Sequence, residues 1–146
     1  MALEPGTKDL LAAGVALMAL TAIMWGWMVA TRLPAMRAAG VAPRHALHTA
    51  NLQAVLPSAV MRVSDNYNHL FEAPTVFYAA ILALSVLGGA DFVAVAAAWT
   101  YVALRGAHSL VQATFNHVPT RFALFTLSWL ALIVLIACTA RAVAAP

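Results

Sequence analysis

Three long stretches of this chain contain no charged residue, and they constrain its fold more than any other feature. They cover residues 10–31, 73–90 and 122–140. A helix rises about 1.5 Å per residue, so about 20 apolar residues cross the hydrocarbon core of a bilayer, which is about 30 Å thick. The chain is therefore predicted to be an integral membrane protein in contact with lipids.

The composition supports this class and argues against nucleic-acid binding. Only 9% of the 146 residues are charged, against about 25% in soluble domains. Mean hydropathy is +0.87. The net charge of +3 comes from scattered basic residues that form no basic helix or patch, so no nucleic-acid partner is expected.

The predicted fold class is all-α, an integral membrane four-helix bundle in one domain over residues 1–146. A cleaved signal peptide is the competing interpretation of the first apolar run, but the run is too long and no positive region precedes it. Pro74 falls inside the second predicted helix and should bend it. The four helices are expected over residues of about 9–31, 58–87, 92–117 and 121–141.

Polar residues mark one face of the second helix and one face of the third. On the second helix the steps are of three and four residues, which align side chains along a helix. The members are Arg62, Asp65, Asn66, His69 and Glu72. The same steps join Arg105, His108, Gln112 and Asn116 on the third helix.

Charged groups inside a membrane cost about 2.5 to 3.5 kcal/mol each on insertion scales, so they usually face a bundle interior. The two polar faces should therefore meet, with Arg105 paired to Glu72 or Asp65.

The distribution of arginines predicts the orientation. Arg32, Arg37 and Arg44 follow the first span and Arg121 opens the fourth, whereas Asp91 lies in the loop between the second and third spans. The positive-inside rule then places the loops after the first and third helices in the cytoplasm, with both termini on the other side.

The longest predicted loop runs from residue 32 to residue 61, and Pro43 and Pro57 bound a possible short helix within it. Asn51 and Gln53 are candidate lid residues there, but a solvated interfacial loop is the favoured interpretation. Metal ligation by the histidines His45, His48, His69 and His108 is disfavoured, since no histidine pair stands beside a carboxylate on one helix. No metal is expected.

Arg62, Arg105 and Arg121 are candidates for holding an anion, because a guanidinium is permanently charged and carries five donors. The competing interpretations are a snorkelling side chain for Arg62 and Arg121 and a buried ion pair for Arg105.

Two motifs resemble the MAPEG family, the membrane-associated proteins in eicosanoid and glutathione metabolism. One is Arg62-x-x-x-Asn66 at the start of the second helix. The other is RGAHSLVQATFNHVPTR over residues 105–121, whose Arg105-x-x-His108 and Pro119-x-Arg121 are similar to the prostaglandin synthase branch. The segment over residues 68–78 looks like a bacterial branch of the family.

The resemblance implies a homotrimer that binds glutathione as co-substrate between neighbouring subunits, at the cytoplasmic end. It implies that Arg121 stabilises the glutathione thiolate and that a lipophilic substrate arrives from the bilayer of a bacterial inner membrane. The implied glutathione-binding residues are Arg62, Asn66, His69, Glu72, Arg105, His108 and Gln112.

Two positions depart from the family pattern. His69 stands where the family has glutamate, with Glu72 one turn later, and Gln112 stands where the family has tyrosine. Two functions therefore stay open. One is a glutathione-dependent membrane transferase or peroxidase acting on lipophilic electrophiles. The other is a non-catalytic protein that keeps the trimer and binds lipid or a partner subunit.

Overall fold

The computed structural model describes residues 3–41 and 52–145, and every regular element in these ranges is helical. The possible short helix after Pro43 falls largely outside these ranges, as do His45, His48 and Asn51. Gln53 lies exposed on the surface. The helices are α1 (Pro5–Ala38), α2 (Ser58–His69), α3 (Ala73–Leu87), α4 (Phe92–Ala113) and α5 (Val118–Ala144).

Helix α1 is longer than the predicted 9–31. Its 34 residues make about 51 Å of helix at about 1.5 Å per residue, more than a bilayer core needs. The C-terminal extension continues through Pro34 because tertiary contacts hold it. The Arg32 Nη1 donates to Ser64 Oγ at 3.2 Å, and Met36 packs in an apolar cluster with Leu52.

The second span covers residues 58–87, as predicted, but it consists of two helices instead of one bent helix. Helix α2 ends at His69, and α3 begins at Ala73 with Pro74 in its first turn. A proline ring clashes with the carbonyl four residues earlier, but the first turn of a helix tolerates it. The chain therefore breaks before Pro74. Glu72 lies in the break and leaves the polar face of α2.

A tight turn joins α3 to α4, as the glycines there predict. Gly88 adopts a left-handed conformation with φ of 68°, which glycine takes without steric cost. Asp91 caps α4 by accepting a hydrogen bond from the Ala94 N–H at 2.9 Å. That bond and the ion pair with Arg141 hold the pKa of Asp91 below its usual value.

Within residues 3–41 and 52–145, three segments are long and apolar enough to cross a membrane, namely α1, the combined α2 and α3 segment, and α5. The protein is accordingly an integral membrane protein. Helix α4 has 22 residues, but a polar face interrupts its apolar surface. It packs along α5 and α1, and Tyr101 on α4 stacks against Phe77 on α3 in the main apolar core.

Candidate functional site

The polar faces of α2 and α4 meet near one end of the bundle, where α1 ends, α2 begins and α4 turns into α5. Antiparallel packing brings these four helix ends together, and two hydrogen bonds tie them. Arg32 donates to Ser64 across α1 and α2. The Arg62 Nη1 donates to the Thr114 carbonyl at 2.8 Å, which fixes α2 against the end of α4.

A cavity of about 220 Å³ opens at this end of the bundle. Three of the six residues that line it are residues that the sequence predicts for the site, and they belong to α2, α4 and α5. The other three lining residues are apolar. The structure thus gathers His69, His108 and Arg121 around one space. The lining residues are His69, His108, Val118, Arg121, Phe122 and Phe125.

Arg121 is held in place by Asn116, which the sequence analysis assigned to the polar face of the third helix. Helix α4 ends at Ala113 and not near His117, so Asn116 leaves the predicted α4 face. Asn116 has a φ of 51°, a conformation that asparagine tolerates better than most residues. Its Oδ1 accepts a hydrogen bond of 2.8 Å from the Arg121 Nη1. Arg121 also lines the cavity.

His108 is engaged at both ring nitrogens. Its Nδ1 lies 3.1 Å from the Arg121 carbonyl oxygen, and its Nε2 lies 3.0 Å from Gln112 Oε1. A carbonyl only accepts, so Nδ1 carries the hydrogen in the first bond. The Nε2 of the neutral ring then accepts the second bond from the side-chain amide of Gln112, whose oxygen and nitrogen are interchangeable. Gln112 is 2% exposed, and it lies behind His108 rather than in the cavity wall. Together these bonds fix the imidazole against α5.

His69 pairs with Glu72 across the break between α2 and α3. The His69 Nδ1 lies 3.0 Å from Glu72 Oε2, and both side chains are partly exposed. The carbonyl of His69 accepts a hydrogen bond of 2.9 Å from the Arg105 Nη2. The end of α2 is therefore anchored on α4.

The predicted ion pair between Arg105 and Glu72 or Asp65 is wrong. Among residues 3–41 and 52–145, the ion pairs join Glu72 to His69 and Asp91 to Arg141. The break before Pro74 carries Glu72 away from α4, which explains the difference. Arg105 is fully buried, and within the described part of the chain its one hydrogen bond is to a backbone carbonyl.

Several other buried polar atoms on α2 and α4 also lack a hydrogen-bond partner within the described part of the chain. Such atoms are rare in protein interiors, because each one left without water or a partner costs about 1 to 3 kcal/mol. Their number here makes the contact between α2 and α4 an unusually polar part of the interior. They are Arg62 Nε, both amide atoms of Asn66, the Tyr101 hydroxyl, Arg105 Nε and Nη1, and Ser109 Oγ.

The MAPEG family model matches residues 10–141, which is nearly the whole chain. The chain belongs to the MAPEG family. This family includes glutathione transferases and peroxidases as well as non-catalytic members. A search of curated proteins finds no significant match, and a search of solved structures finds none either.

The family motif residues take three different places in this MAPEG protein. His69, His108 and Arg121 line the cavity. Glu72 and Gln112 hydrogen-bond to those histidines. The remaining motif residues do not line the cavity; they are Arg62, Asn66 and Arg105.

Sequence reasoning missed the apolar half of the cavity and the residue that orients Arg121. Phe122 and Phe125 follow Arg121 by one and four positions on α5, so helical spacing from Arg121 offers a signal for Phe125. The signal for Asn116 is weaker: a polar residue just beyond a helix end often hydrogen-bonds to the element that follows. In the described ranges no group of histidine, cysteine or carboxylate residues has the arrangement of a metal site.

Replacing Arg105 with methionine should stabilise the protein in the absence of glutathione, by up to about 4 kcal/mol. The reason is that a buried charge without a counter-charge carries a desolvation penalty, which an apolar side chain of similar length removes. Unfolding in mixed micelles would measure it, with Arg32→Met as the control at a partly exposed arginine. A loss of about 3 to 5 kcal/mol would instead mean that the bond to the His69 carbonyl outweighs the desolvation penalty, or that an anion pairs with Arg105.

Proposed function

We propose that this protein is a glutathione-dependent membrane transferase or peroxidase acting on lipophilic electrophiles. The single observation that carries the proposal is the placement of Arg121. Its guanidinium lies in the first turn of α5, is oriented by Asn116 at 2.8 Å and borders a cavity whose other wall is apolar. A fixed cation beside an apolar surface suits an anionic nucleophile attacking a hydrophobic substrate.

Arg121 would act by favouring the thiolate of glutathione. A free thiol has a pKa of about 8.5, so only a few per cent is ionised at pH 7. A guanidinium at hydrogen-bond distance favours the anion, and a pKa lower by about two units would raise the ionised fraction to about three quarters. The unpaired amides at the start of α5 add partial positive charge at the same place.

The size of the cavity supports the proposed homotrimer. At about 220 Å³ it is smaller than the pockets of about 300 to 1,000 Å³ that enclose most small ligands. A tripeptide would therefore extend beyond this protomer. The surface of a neighbouring subunit would complete the site, as the family resemblance implies.

The apolar wall suggests where a lipophilic substrate would bind. Val118 and Phe122 are 59% and 68% exposed on the outer face of the bundle, and Phe125 continues the wall inward. In a bilayer this surface would be open to lipid, so an apolar acceptor would reach Arg121 without crossing water. In this proposal the site lies at the cytoplasmic side of a bacterial inner membrane, with both termini on the other side.

The second candidate function is a non-catalytic MAPEG protein that binds lipid or a partner subunit. The observation that favours it is the closed arrangement of His108, whose two ring nitrogens are bonded to Arg121 and Gln112. In this second candidate the polar side chains fix the packing of α4 against α5, and they bind no substrate.

Glutathione binding to the detergent-purified protein separates the two candidates. Calorimetry should show saturable binding, and an ultraviolet difference scan near ~240 nm should show the thiolate. Saturable binding with a thiolate signal supports the enzyme. Absence of both at millimolar glutathione would overturn the proposal in favour of the lipid- or partner-binding candidate.

A further inference from the structure

We propose that His69 and Glu72 form a proton-transfer pair, in which His69 accepts the thiol proton of glutathione and returns it to the product. This inference rests on the proposed function and assigns it a second catalytic residue. The pair exists because the helix break brings Glu72 next to His69.

The geometry determines which ring nitrogen of His69 accepts the proton. The Nδ1 lies 3.0 Å from the Glu72 Oε2, and a carboxylate oxygen can only accept a hydrogen bond. The Nδ1 therefore carries the hydrogen, and the Nε2 keeps its lone pair as a base. The carboxylate also stabilises the imidazolium that forms when Nε2 takes a proton, as orienting carboxylates do in other catalytic pairs.

The position of His69 is set by the fold rather than by a mobile loop. It is the last residue of α2, and its carbonyl is held by Arg105 at 2.9 Å. The next residue, Leu70, is buried in an apolar cluster with Met24 of α1. The ring is nevertheless 43% exposed, so a ligand in the cavity reaches it.

No other side chain in the cavity wall offers a free base. Among the six lining residues that the structure describes, three are apolar and aromatic or aliphatic, and Arg121 stays protonated at any ordinary pH. His108 has both ring nitrogens engaged. His69 is the lining residue that is left with a nitrogen free to accept a proton.

The charges around His69 come from every helix that packs nearby. Asp65 lies one turn earlier on α2, and Glu72 lies in the break. Arg105 and His108 belong to α4, and Arg121 belongs to α5. From α1, Arg32 reaches α2 at Ser64. Of these groups Glu72 is the one bonded to the ring, at 3.0 Å, so its removal tests the pair.

The chemistry balances for addition of glutathione to an α,β-unsaturated carbonyl compound. The His69 Nε2 takes the S–H proton, which leaves the thiolate beside Arg121. The sulfur then bonds to the β carbon, and the electron pair of the C=C bond moves to form an enolate. The imidazolium of His69 returns the proton to the α carbon, and no oxidant, reductant or further reactant is needed.

The test is the pH dependence of kcat for such an acceptor with the full protein in lipid nanodiscs. His69→Gln should lower kcat about 10²-fold near pH 7, in the range of general acid–base catalysis, and remove one limb of the pH profile. Glutathione affinity should change by about twofold or less, because Arg121 remains. Glu72→Gln keeps the ring and should lower kcat less and shift the same limb.

The matched control is His117→Gln. His117 is exposed, its Nδ1 bonds to Thr120 Oγ1 at 2.8 Å, and it lies outside the cavity wall, so kcat and its pH profile should stay as in the parent. If the parent turns over and both His69→Gln and Glu72→Gln keep its kcat and profile, the proton-transfer pair is wrong while the proposed function stands. If the parent binds no glutathione, the proposed function and the proton-transfer pair are both wrong.

Discussion

Replacing Arg121 with alanine should remove the thiolate signal of bound glutathione and lower turnover about 10²- to 10³-fold. The magnitude follows from losing one positioned electrostatic donor at a developing or stable anion. With the thiol back at a pKa of about 8.5, only a few per cent would be ionised at pH 7. The measurements are the ultraviolet difference scan for the thiolate and the turnover of a lipophilic electrophile.

Two further variants make the Arg121 result specific. Asn116→Ala removes the acceptor 2.8 Å from the guanidinium and should lower turnover less, because the charge remains but loses its orientation. Arg141→Ala is the matched control, since that arginine pairs with Asp91 at the opposite end of the bundle. Turnover and thiolate that survive in Arg121→Ala would remove Arg121 from the mechanism.

Replacing Phe77 with alanine should lower the free energy of unfolding by about 3 kcal/mol. Phe77 on α3 is fully buried and stacks on Tyr101 of α4, with the ring centroids 4.8 Å apart. Truncating a buried phenylalanine costs about 3 to 5 kcal/mol in soluble proteins. The lower end applies here because lipid solvates the unfolded helices with apolar surface, which removes part of the transfer term. Unfolding in mixed micelles would measure the loss.

Tyr101→Phe is the control on the other ring of the same stack. It keeps the ring and removes a buried hydroxyl that has no hydrogen-bond partner within residues 3–41 and 52–145. We expect it to leave stability unchanged or to raise it by about 1 to 3 kcal/mol. A loss as large as that of Phe77→Ala would show that the hydroxyl does have a partner in the assembled protein, such as water or a ligand.

The sequence predicted which residues share a helix face better than it predicted how the two polar faces meet. Helical spacing grouped Arg105, His108 and Gln112 correctly, because side chains three and four positions apart share a face wherever the helix is intact. The same rule failed for Glu72 and Asn116. Both lie beyond a helix end, where the periodicity no longer applies, and each turns instead to a neighbouring side chain.

By itself the sequence determined that this protein is an all-α membrane protein of the MAPEG family. Charge-free runs and the short motifs are local properties, and a bilayer leaves a chain few alternatives to helices. Only the tertiary structure decided the rest. Within residues 3–41 and 52–145, Arg105 has no carboxylate partner and Glu72 pairs with His69, because the partner of each side chain depends on how α2 and α3 pack against α4.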